Sequence, residues 1–189
     1  STNRIISIYP TLRNNIWCVT ADSKLYLYNT HLCKFVNRGK EINEQFGIDL
    51  RVDKIYPLKT GNTWITAKSA NYLIRNYMLP DQSFEKEIIK VGQHGLRSGN
   101  VWHVWADKKG REWILTDKGT TIYNHHFSTQ LPFKWIREVG ENIFLATPNG
   151  KLAVYDEKEH LVMIPMPAGV TRINQLKNTG YQLLIATNI

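Results

Sequence analysis

The 189-residue chain is 42% hydrophobic and 21% charged, ordinary proportions for a globular fold with a buried core. No apolar run reaches the roughly 20 residues of a membrane-spanning helix, and the first residues lack a signal-peptide pattern, so a cytoplasmic chain or a mature or excised piece of a larger one is expected. The net charge of +8 is spread over single lysines and arginines, without the basic blocks of a nucleic-acid tail.

The first predicted element is a short apolar strand from Arg4 to Ile8. A turn at 12–15 leads into Asn15-Ile-Trp17-Cys-Val-Thr20, a second turn covers 21–24, and a tyrosine-bearing strand follows at 25–29. Cys18 then lies in the second strand of a meander and Cys33 near the start of the fourth. Two strand steps of about 4.8 Å separate them too far for a disulfide. Neither has a CxxC or histidine partner at ligand spacing, so no metal is expected there.

The same order of events recurs. Ile55 precedes a turn at 59–62, the run Asn62-Thr-Trp64-Ile-Thr-Ala67, a turn at 68–71 and the strand 72–77. Val104 precedes a turn at 106–110, Arg111-Glu-Trp113-Ile-Leu-Thr116, a turn at 117–120 and the strand 121–124. Ile136 precedes Asn142-Ile-Phe144-Leu-Ala-Thr147, and Leu176 precedes Gln182-Leu-Leu184-Ile-Ala-Thr187. The anchors Trp17, Trp64, Trp113, Phe144 and Leu184 are 47, 49, 31 and 40 residues apart, and three positions later stands Thr20, Ala67, Thr116, Thr147 or Thr187.

Spacing of about 40–45 residues per four-stranded meander is that of a β-propeller blade. The expected fold is all-β: a propeller fragment of about four and a half four-stranded antiparallel blades, in units of about 1–50, 51–98, 99–131, 132–168 and 169–189. Residues 30–53 and 78–100 read as long connections that reach a fourth strand, with 85–90 as an outer strand. The third outer strand reads as clipped or missing, and no long helix is evident. Runs apolar on both parities, such as Val101 to Trp105, favour sheets covered on both faces over the alternative, a β-sandwich. Such a piece is expected to expose an apolar blade face and to self-associate.

An inner strand, an Asp-Lys-Lys-Gly turn, Trp-Ile-x-Thr, Asp-Lys-Gly and a strand ending in Tyr-Asn, best seen from Val101 to Asn124, resembles the two-component-regulator propeller repeat. Ile5 to Tyr28 and Ile136 to Asp156 match well, whereas Ala67 and Ser69-Ala70 depart from the pattern, and Phe144 and Leu184 replace tryptophan. The resemblance implies the periplasmic sensor region of a hybrid two-component system of gut bacteria. Such a region responds to an oligosaccharide and controls genes for polysaccharide use. The membrane helix, histidine kinase and response regulator would lie outside this chain.

No catalytic residue, cofactor or metal is expected. The chain lacks GxSxG, HExxH and P-loop spacings, and none of its six histidines pairs at i, i+4. His125 and His126 would point to opposite sides of a strand. Among sixteen acids only Asp107 has an apolar setting, and it reads better as a turn cap. The extra residue between Asp107 and Gly110 excludes a sialidase Asp-box. Trp102, Trp105 and Trp135 break the repeat and are free for a special role, although Trp102 and Trp105 read more readily as core.

Binding is the better expectation. Loops entering inner strands and loops joining second to third strands share one propeller face, and here they carry Arg51, Lys68, His94, Arg97, Lys118, Lys134 and Arg172. A basic set without acids suits a sulfated or uronic-acid oligosaccharide through charge-assisted hydrogen bonds. A dimerising scaffold without a ligand site is the alternative. Nucleic acid is disfavoured by the lack of an aromatic-basic stacking motif.

Overall fold

A computed structural model describes residues 4–11, 15–68, 70–81 and 83–188. Most of the turn expected at 12–15, Ser69 of the turn expected at 68–71, and the terminal Ile189 lie outside them.

Antiparallel sheets follow one another along the chain. The first is β1 (Ile5–Pro10), β2 (Ile16–Thr20), β3 (Leu25–Asn29) and β4 (Lys34–Val36), and a helix, α1 (Arg38–Phe46), comes next. The second is β5 (Val52–Pro57), β6 (Thr63–Ala67), β7 (Tyr72–Met78) and β8 (Phe84–Lys90). The third is β9 (Val101–Ala106), β10 (Glu112–Thr116), β11 (Gly119–Ile122) and β12 (Ser128–Thr129), whose last strand is clipped to two residues. The fourth is β13 (Trp135–Val139), β14 (Asn142–Ala146), β15 (Leu152–Tyr155) and β16 (Leu161–Ile164). Strands β17 (Ile173–Asn178) and β18 (Leu183–Thr187) form a two-stranded fifth sheet. Each is a simple up-and-down meander, as the hairpin turns require.

Two sequence expectations need correction. The fourth strands of the first two sheets are reached by short turns, and the long segments follow them. The first of those segments also holds α1. Asn37 caps it by accepting the Lys40 amide at 3.0 Å, and Gly47 ends it in the left-handed region at φ 63°. Its apolar content is only Ile42 and Phe46, so no periodicity announced it. Ile42 is nonetheless buried in the first core cluster, which holds the helix against the sheets.

The core lies between sheets rather than within one layer. Four apolar clusters sit at the four junctions between successive sheets. Alternation along a strand sends one residue to each neighbour: Trp64 faces the third sheet with Leu96 and Val104, whereas Ile65 faces the first with Trp17 and Val19. All five residues of β6 and of β10 are therefore buried.

The anchors follow from the same geometry. Each points to the following sheet, so Trp17, Trp64 and Trp113 are buried, Phe144 opposite the two-stranded fifth sheet is half-buried, and Leu184 is 50% exposed. The inner-strand residues point backwards: Ile55, Val104, Ile136 and Leu176 are buried, and their counterpart Ile8 is 64% exposed. Phe144, opposite a sheet of two strands, is thus less buried than the tryptophan anchors.

Candidate functional site

The repeated threonine closes a turn. The hydroxyl of Thr20 accepts the Lys24 amide at 3.1 Å and that of Thr147 accepts the Lys151 amide at 3.1 Å, while Thr116 donates to the Gly119 carbonyl at 2.8 Å in the tighter third turn. Thr187 is half-buried at the end of β18.

The anchor tryptophans also need partners for their indole N–H groups, and two buried carboxylates supply those of Trp64 and Trp113. Asp107 accepts from Trp113 Nε1 at 3.0 Å, from Arg111 Nε at 2.6 Å and from the Arg111 amide at 2.9 Å, which extends the turn-cap role expected for it. Glu112, overlooked in the sequence, is equally buried. It accepts from Trp64 Nε1 at 2.9 Å and Arg75 Nε at 2.8 Å across the junction of the second and third sheets. Both carboxylates are fully engaged by donors and serve the fold.

The seven predicted cations are all exposed. Arg51 pairs with Asp49 at 3.1 Å, and Lys68 Nζ donates to Ser23 Oγ at 2.7 Å. His94 lies 3.7 Å from Glu87 and against the Tyr123 ring. Arg97 Nε donates to Ser128 Oγ at 3.3 Å and packs on Gly119, beside Lys118. The Arg172 amide donates to Asn188 Oδ1 at 2.9 Å.

Lys134 differs. Its ammonium lies 5.4 Å from the Trp135 ring centroid and 6.0 Å from that of Trp102, both half-buried, so one cation bridges two indoles on adjacent inner strands. Trp102 is placed by a β-bulge. Val101 and His103 pair with the consecutive residues Thr116 and Leu115, so Trp102 is the extra residue, out of the pleat. The same register shift recurs at the start of β1, β5 and β17, whereas β13 pairs continuously from Trp135. Periodicity cannot reveal a bulge, and this one turns Trp102 away from the core that the sequence assigned to it.

Next to this platform the inner strands carry more basic and aromatic groups. The Tyr56 hydroxyl lies 3.5 Å from the Trp102 carbonyl, and its ring meets His103 edge-on at 5.8 Å. Burial, then the charges of Arg137 and Lys54, hold the His103 imidazole below its ordinary pKa. Burial chiefly raises that of the Tyr56 phenol. The surface therefore combines flat apolar faces with a cation. Trp105 stands apart, under the Lys59 ammonium at 5.7 Å.

The described residues offer one metal-like cluster, His125, His126 and Glu159. His125 and His126 occupy a turn rather than a strand, so their rings stack at 4.1 Å instead of diverging as expected. The Phe127 amide donates to His125 Nδ1 at 3.1 Å, which leaves the proton on Nε2, 3.3 Å from Glu159. Arg111 takes the other oxygen of Glu159 at 3.0 Å. A protonated Nε2 and an adjacent guanidinium do not suit a cation.

No protein-family model and no curated protein matches the sequence. Solved structures do. An extracellular domain assigned to a hybrid two-component system of B. thetaiotaomicron is 16% identical with a TM-score of 0.61, over 97% of this chain and 25% of that one. A second extracellular domain from B. thetaiotaomicron, assigned to a one-component system, is 15% identical with a TM-score of 0.60, over 97% and 27%. Virginiamycin B lyase from Staphylococcus aureus is 12% identical with a TM-score of 0.54, over 98% and 64%. This chain thus spans less than two thirds of each. Sheet topology and these likenesses together identify the chain as a partial β-propeller, with four four-stranded blades and a two-stranded fifth.

Proposed function

We propose that this chain is part of the extracytoplasmic, periplasmic propeller of a two-component sensor and that its Trp102–Lys134–Trp135 platform takes an acidic oligosaccharide. The observation that carries this reading is the lysine held between two half-exposed indoles at the mouth of adjacent inner strands. The likeness to extracellular domains of two regulatory systems supports it. Control of polysaccharide-use genes through a kinase elsewhere in the protein is the finer part of the proposal. Fold likeness to a lyase leaves catalysis as a rival, but the two buried carboxylates are occupied by structural donors, which favours binding.

Titration calorimetry with sulfated and uronic-acid oligosaccharides tests the reading. Lys134→Ala and Trp102→Ala should each weaken saturable binding about tenfold or more, consistent with roughly 1–3 kcal/mol for a stacked aromatic or a charged hydrogen bond. Binding indifferent to both substitutions would sink the platform, and product release would establish an enzyme.

A further inference from the structure

A second site lies on the opposite face of the blades, where inner strands end. Between the first and second blades opens a cleft of about 530 Å³, within the range of small-molecule sites. Its floor is polar. Asn76, only 6% exposed, lines the cleft, and its carboxamide makes no hydrogen bond among the described residues. Thr63, 2% exposed, lines it too, and Asn15 Oδ1 is buried without a partner among the described residues. A buried acceptor such as Asn15 Oδ1, left unmatched, costs stability unless something fills the space beside it.

The walls say what kind of molecule fits. Arg38, Lys59 and Lys86 line the cleft, and among the described residues no carboxylate does. Arg38 and Lys86 share a single acid, Glu41, at 2.6 and 3.8 Å, and Lys59 reaches Glu138 only at 3.9 Å, so positive charge remains over the opening. Trp17, Met78 and Phe84 supply an apolar side. We infer that this cleft binds a small amphipathic organic anion, an aromatic or alkyl carboxylate, with its charge toward Lys59 and Lys86 and a polar atom on Asn76.

This site is independent of the sugar platform, since none of its residues belongs to that platform. Indole-3-acetate is the probe, measured by calorimetry on the intact chain. One saturable site is expected. Lys59→Ala and Asn76→Leu should each weaken it about tenfold, and the uncharged indole-3-acetamide should bind at least tenfold more weakly than the acid. Lys134→Ala should leave it unchanged, which separates this proposal from the previous one. Lys59 is half exposed, so its variant tests the site even where Asn76→Leu fails to fold. The proposal is overturned by no binding of the acid, by equal binding of acid and amide, or by affinity unchanged in Lys59→Ala.

Discussion

At the scale of single residues, the polar groups inside the blade junctions divide into matched and unmatched. Glu112 and Asp107 are matched. Tyr155 is not: it is fully buried in the third cluster, its hydroxyl has no hydrogen-bond partner among the described residues, and burial pushes its pKa up to about 12. Tyr155→Phe should therefore raise stability by roughly 1 kcal/mol in urea unfolding, because it removes a desolvated hydroxyl and keeps the ring. His103 gives a pH effect. Its folded-state pKa is depressed, so the unfolded chain takes up the proton first. The stabilisation is complete above the ordinary imidazole value of about 6.5 and is lost as pH falls through the depressed value. Ring-proton NMR should show a low titration midpoint for His103 that rises in Arg137→Gln. An unchanged midpoint would show that burial alone sets it.

At the scale of elements, the turns are where sequence and structure meet most closely. A Cβ on Gly99 would sit 2.2 Å from the Ala70 carbonyl and 3.1 Å from Asn71 Cα, so the strand entering the third blade passes directly over the second blade's backbone. Gly99→Ala should lower stability by about 1–3 kcal/mol, as overpacking does, read as a lower urea midpoint with an unchanged m-value. The recurring turn threonine was visible as a repeat, though its hydrogen bonds were not. The helix left only its caps, Asn37 and Gly47, as signals. The bulge at Trp102 left none, because an extra residue in a strand has no composition of its own.

At the scale of the whole molecule, the forward face of one blade is built to meet the backward face of the next. The first sheet leaves Ile6 and Ile8 exposed on its strand, and the fifth leaves Leu184 exposed. Both are blade faces of the kind that a neighbouring blade covers elsewhere in the chain, so isolated copies of these 189 residues should join head to tail, a heterologous contact. Sedimentation at rising concentration should show association that Ile8→Ser together with Leu184→Ser abolishes. Both side chains are exposed, so the unfolding free energy should move by less than about 1 kcal/mol. A monomer at all concentrations would argue against the contact.

Repetition was legible because every blade must bury the same two faces, so a large apolar anchor, a turn-closing threonine and an apolar inner-strand residue return at blade spacing. The sequence alone therefore determined the class of fold, the strand order within each meander and the packing role of Trp64 and Trp113. Tertiary structure decided which tryptophans are free, which cations converge and where cavities remain. Those properties depend on distances between blades and on a register shift of one residue, and neither leaves a periodic trace in the chain.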